Sequence, residues 1–160
     1  MPTFAFPSGT APALPAVVLD TPDGWVPTTY PGALLAAFEP RPEGEFRPNV
    51  IVSITRHEPG YTLDEAVGTL IETLEALPEA SLRDVSDPTE ISAAKAVAFL
   101  DPEAGTLVQV HVVVIADQGA CVDLVQLTAS CSGSTLAQDE AALDKIVSSL
   151  NVSSLMEEQS

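Results

Sequence analysis

TLVQVHVVVIADQGACVDLVQLTASC, running from Thr106 to Cys131, decides the fold. Two apolar runs rich in valine, isoleucine and leucine flank Gln118-Gly119, the composition of paired strands around a tight turn. With Gln118-Gly119 as a two-residue turn, residues whose numbers sum to 237 face each other. Val108, Val110, Val112 and Val114 then share a face with Cys121, Val125, Leu127, Ala129 and Cys131, and Asp123 is the odd member of that set. Leu107, Gln109, His111, Val113 and Ile115 share the other with Val122, Leu124, Gln126, Thr128 and Ser130. Both faces are mostly apolar, so both need cover, which favours a helix-covered sheet over a sandwich. A three-residue loop would swap the faces of one strand.

Upstream, Val50, Val52 and Ile54 alternate against Ile51, Ser53 and Thr55, which predicts a strand over Asn49 to Arg56. Eleven of the 14 prolines lie in the first 60 residues, so that half holds short extended pieces rather than long helices or central strands. These pieces are Ala16 to Asp20, Trp25 to Tyr30 and Ala33 to Phe38, with a loop over Glu39 to Glu45. Thr62-x-x-Glu65 is a capping box, followed by Leu63, Ala66, Leu70, Leu74 and Leu77 at helical spacing and a stop at Pro78. Thr135-x-x-Gln138 is a second capping box and opens a helix carrying Leu136, Leu143, Ile146 and Leu150, with Asn151 as its C-terminal cap. Further strands fall near Leu82 to Val85 and Ala94 to Leu100. Strands, helix, strands, helix is an α+β order, with an antiparallel β-sheet and helices packed on its faces. At 160 residues one domain is expected over residues 16–152, with a proline-rich segment at 1–15 and an acidic tail at 153–160.

The chain carries six basic residues against 23 acidic ones, a net charge of −17. That balance leaves no basic face for nucleic acid and argues against anionic membranes. No apolar run has the length of a spanning helix, so no direct membrane insertion is expected. Met1 to Leu19 has no lysine or arginine and is broken by Pro2, Pro7, Pro12 and Pro15, unlike an export signal. The expected location is cytoplasmic; export, with a signal removed, is the alternative. Cys121 and Cys131 sit at the two ends of one expected strand, about 33 Å apart, too far for a disulfide.

Pro22-Asp23-Gly24-Trp25, Phe46-Arg47-Pro48-Asn49-Val50, Leu127-Thr128-Ala129 and Ile146-Val147-Ser148-Ser149-Leu150 occur in an order and spacing that resemble the PsbP-like superfamily. Within it, the resemblance is to LpqN-type actinobacterial proteins and spans Val17 to Val152. It implies an antiparallel sheet with helices on both sides and a non-catalytic binding role: a photosystem II subunit, a partner of the Ran GTPase and actinobacterial envelope lipoproteins share it. The lipoproteins' signal peptide and anchor cysteine have no counterpart in this sequence. The superfamily offers no shared catalytic residues to carry over.

Side-chain chemistry agrees with a binder rather than an enzyme. Two histidines 54 positions apart and two cysteines on one strand do not make a metal site, and nothing in the sequence calls for a cofactor. Cys131, in Ser130-Cys-Ser-Gly-Ser134, is the one candidate nucleophile, but the indexed hairpin puts its nearest base candidate, His111, on the opposite face. Trp25 reads as a core anchor. Two features remain as candidate binding sites. In the indexed hairpin His111 lies opposite Gln126 and Gln109 opposite Thr128, four polar side chains on an otherwise apolar face. They form either a satisfied network or the polar floor of a cleft between sheet and helix for a small apolar or amphiphilic ligand. Separately, the first helix carries Asp64, Glu65, Glu72 and Glu75 and no base, while Arg41, Arg47 and Arg56 cluster elsewhere. Glu72 and Glu75 would then steer a protein partner with a basic surface. A protein-interaction, accessory or chaperone-like module is the preferred reading, and a small-molecule carrier the alternative.

Overall fold

In the computed structural model, which describes residues 1–153, the long hairpin forms the centre of a seven-stranded antiparallel sheet. Its strands are β2 (Val26–Thr28), β3 (Leu35–Phe38), β4 (Asn49–His57), β5 (Ser81–Asp84), β6 (Ser92–Asp101), β7 (Gly105–Asp117) and β8 (Val122–Ser132). Their order across the sheet is β2-β3-β4-β8-β7-β6-β5. A second, two-stranded sheet pairs β1 (Ala16–Val18) with β9 (Asn151–Ser153), bringing the two ends of the domain together. The two helices are α1 (Leu63–Glu75) and α2 (Leu136–Ser149). No helix among the described residues is long and apolar enough to cross a membrane. Of the sequence-assigned tail, Ser153 pairs with Ala16 in β9, and residues 154–160 lie outside the described part.

The turn joining β7 and β8 is centred on Gly119-Ala120, one position beyond Gln118-Gly119. Gln118 pairs with Cys121, its amide donating to the Cys121 carbonyl at 2.9 Å. Gln118 is drawn inside, its amide nitrogen bonded to the Ala13 carbonyl at 2.9 Å, so it cannot stand at the apex. Gly119 takes that place with φ +81°, a left-handed conformation that costs glycine no Cβ clash. Facing residues therefore sum to 239, as in Val114↔Val125 and Val112↔Leu127. A shift of two leaves every side chain on its expected face.

One face carries Val108, Val110, Val112, Val114, Val125, Leu127, Ala129 and Cys131, joined by Val50 and Val52 of β4 and covered by Leu143 and Ile146 of α2. Trp25, 8% exposed, closes the same core. The other face is covered by α1, whose Leu70 and Leu74 pack on Val97, Phe99, Leu107 and Val113. Each such side chain contributes about 1.5–3 kcal/mol of burial. That second core is built on β6 and β7, so α1 covers only half of its face.

The capping box of α1 is as the sequence predicts: the Glu65 amide donates to Thr62 Oγ1 at 3.2 Å and the Thr62 amide to Glu65 Oε2 at 2.8 Å. At α2 the expectation fails. Thr135 caps no backbone amide and donates instead to Asp139 Oδ2 at 2.6 Å, while Ser132 caps a single 3₁₀ turn that precedes the helix. Asn151 is not the C-terminal cap; Leu150 ends the helix in an extended conformation and Asn151 starts β9.

Candidate functional site

Asp123, the acid among the valines, is fully buried on the α2 face. Its carboxylate is gripped from the neighbouring strand by Arg56, Nε to Oδ1 at 2.8 Å and Nη2 to Oδ2 at 2.9 Å. Asp139, 3% exposed, is held in the same manner by Arg41 Nη2 at 2.6 Å and by Thr135. These paired, bidentate or doubly bonded arrangements make a buried carboxylate tolerable. They also occupy two of the three arginines that the sequence had set apart as a basic cluster. Lys95 is engaged by Asp84 in turn. The acids of α1 face no such partner: Asp64, Glu65, Glu72 and Glu75 are all exposed, and the helix has no basic residue.

On the α1 side of the sheet, the polar side chains of the hairpin meet in the observed register rather than the expected one. His111 faces Thr128, Gln109 faces Ser130, and Gln126 faces Val113. His111 is 7% exposed, with Nε2 2.8 Å from Gln109 Oε1 and Nδ1 3.2 Å from Thr128 Oγ1. Gln109 Oε1 can only accept, so Nε2 carries the proton and Nδ1 accepts from the threonine hydroxyl. Burial pushes the imidazole down to about 4, so the ring is neutral at physiological pH. Gln109, His111 and Thr128 thus form one bonded chain; Gln126 shares their face, between Ser53 and Val113, outside that chain.

A cavity of about 580 Å³ opens beside this chain, over the half of the face that α1 leaves bare. Gln109, Thr128 and Ser130 lie in its floor with Asn49 and Ile51, and Tyr30, Phe38 and Phe46 wall it. Arg47 sits on this wall with its guanidinium carbon 4.5 Å from the centre of the Phe38 ring. The cleft therefore lies between the sheet and the loop before β4, not between sheet and helix; His111 and Gln126 are absent from its lining, as are Glu72 and Glu75. Sequence reasoning reached the floor by alternation and missed the walls. Phe46-Arg47 was legible as a motif, but nothing local says that it folds over β4.

Cys131 is fully buried on the α2 face, opposite in side to His111, and its thiol is pushed up to about 11, chiefly by burial. Cys121 is buried too, and burial raises its pKa as well. Both are free. A thiol held neutral by burial is a poor nucleophile.

No known family profile matches the chain, and no curated protein matches it by sequence. Solved structures do match in shape. LpqN, involved in cell envelope biogenesis of Mycobacterium tuberculosis, superposes with a TM-score of 0.73 at 12% identity over 88% of this chain and 84% of its own. The cyanobacterial PsbP of Synechocystis superposes at 0.53 and 14% identity over 95% and 98%. The Ran-binding protein Mog1p of Saccharomyces cerevisiae gives 0.53 and 14% over 88% and 96%. At these identities the likeness establishes the fold: a PsbP-like α+β domain.

Proposed function

We propose that this domain is a non-catalytic protein-interaction module that receives a partner with a basic surface on the acidic side of α1. The observation that carries this reading is the segregation of charge. Glu72 and Glu75 stand exposed on a helix without a base, while Arg41, Arg56 and Lys95 are tied to Asp139, Asp123 and Asp84. Those three bases are engaged by acids of their own, which leaves the field of the helix to act on a partner, and complementary charge acts mainly on the rate of association. Membership of a fold that also serves a Ran-binding protein supports a protein partner. The greater likeness to LpqN favours an LpqN-type, actinobacterial origin. The cytoplasm read from the sequence and the cell envelope, in whose biogenesis LpqN is involved, are the two places where such a partner would be met, and fractionation of the native host separates them.

The test is affinity capture on the wild-type domain and on the Glu72→Lys/Glu75→Lys variant, followed by association kinetics of the captured protein. The reading expects a partner retained by the wild type and lost by the variant, whose association slows several-fold between low and physiological salt, as screening shortens to about 8 Å. A partner captured equally by both, or a salt-independent association rate, removes α1 as the docking side. A carrier role is the second reading, favoured by the 580 Å³ cleft.

A further inference from the structure

The geometry of the cleft points to a ligand class: we propose that it binds a small apolar monocarboxylate, with the carboxylate between Arg47 and the hydroxyl and amide donors of the floor and the apolar body against Tyr30, Phe38 and Phe46. This deepens the carrier reading and is independent of whether a protein docks on α1.

Three observations converge on it. Ser130 lines the cleft, and among the described residues its hydroxyl makes no side-chain hydrogen bond. A hydroxyl beside a cleft can donate to a group that enters it. Gln109 has its carbonyl oxygen committed to His111. That fixes the amide the other way round, with its N–H groups left as donors, and the neutral, buried imidazole cannot be charged to reverse the arrangement near neutral pH. Arg47 is stacked on Phe38 and, unlike Arg41, Arg56 and Lys95, has no carboxylate within ion-pair distance among the described residues. The floor thus offers donors, the wall offers one unmatched positive charge, and guanidinium recognises carboxylate in a planar, two-point fashion.

Size and charge narrow the class further. About 580 Å³ is the volume of a small-molecule site, and the aromatic walls suit an aryl or short acyl body. Glu45 also lines the cleft, and the molecule as a whole carries −17. Both repel polyanions, so a single carboxylate on an apolar body fits where a polyphosphate or an acidic protein does not.

The experiment titrates the full chain, by calorimetry and by backbone amide NMR shifts, with benzoate, 3-phenylpropionate, indole-3-acetate and hexanoate, each beside its neutral primary amide. The expected result is that at least one acid binds with shifts centred on Gln109, Ser130 and Arg47, and that its amide binds at least tenfold more weakly. Arg47→Met, which keeps an apolar stem over Phe38 at an exposed position, should weaken the acid at least tenfold, and Ser130→Ala about threefold, with both variants retaining the wild-type amide spectrum elsewhere. Equal affinity for acid and amide, shifts centred elsewhere, no binding below 5 mM by any of the four, or full affinity in Arg47→Met would each overturn the proposal. The acid-to-amide comparison is made on the wild-type protein, so it stands even if a variant folds poorly.

Discussion

The two faces of the seven-stranded sheet are made from the same strands yet solve different problems. On the α2 side, Val52, Val125, Leu127, Ala129 and Cys131 are sealed completely, and the two acids within it or at its edge, Asp123 and Asp139, are neutralised by arginines. On the α1 side, the helix packs chiefly on β6 and β7, and towards β4 the exposed face turns to asparagine, serine, threonine and glutamine. A bare half-face of an antiparallel sheet is stable when its outward residues are polar. Polar residues of this sheet are therefore either exposed where cover ends or, like Asp123 and His111, buried with hydrogen-bond partners of their own.

Trp25→Ala should produce the largest loss, about 3–5 kcal/mol, because the indole closes the α2-side core and its removal leaves a cavity that rigid strands cannot fill. Urea unfolding measures it; a loss below 1 kcal/mol would mean that this face is less tightly closed than the other.

Acidification probes the polar chain on the opposite face. His111 is a base whose pKa is lowered to about 4 by burial in the folded protein, against roughly 6.5 in the unfolded chain. The folded state therefore binds fewer protons between those values, so stability is full above about pH 6.5 and declines as the pH falls toward 4, by up to about 3 kcal/mol. Subtracting the same pH series for His111→Gln isolates this slope from that of the carboxylates. Identical series for the two proteins would place the ring in water.

Adjacent residues of β4 provide the sharpest contrast. Val52 points into the α2-side core and is 0% exposed, while Ile51 lies in the floor of the cleft and is half-buried. Val52→Ala should cost about 2 kcal/mol and Ile51→Ala about 1 kcal/mol, although the latter deletes more carbon. Reversal of that order in thermal unfolding would show the cleft to be closed. Smallest of all, Glu72→Lys with Glu75→Lys should change stability by no more than about 0.5 kcal/mol, since both side chains are exposed; a larger loss would reveal structural partners for these acids.

The hairpin shows how much was legible. Alternation assigned residues 107–115 and 121–131 to their faces correctly, because an even register error leaves faces unchanged. The pairings themselves were off by two, since the position of the turn depends on Gln118 reaching Asp123 and the Ala13 carbonyl, contacts that local sequence does not announce. The same limit explains Asp123, whose oddness was visible and whose Arg56 partner was not, and Thr135, whose expected cap was redirected to Asp139. Three of the four polar residues singled out from the hairpin do form one hydrogen-bonded chain. The cleft walls came from loops whose destination is set by packing across the sheet.

The arginine–aspartate pairs have a consequence for how the chain reaches this structure. Arg56 and Asp123 are 67 positions apart, Arg41 and Asp139 98, and the Asp20 backbone meets Ser149 across 129. Each lies in the first half on one side and the second half on the other. The earliest chain to leave a ribosome would hold β4 without the β8 strand that flanks it, and its arginines without their acids. Closing such long loops comes before any of these contacts can reward it, which puts the domain among topologies that fold slowly for their size. Until synthesis passes Ser132, the valine-rich edge of β7 has no partner on that side, and that interval is when the nascent chain is most exposed to aggregation.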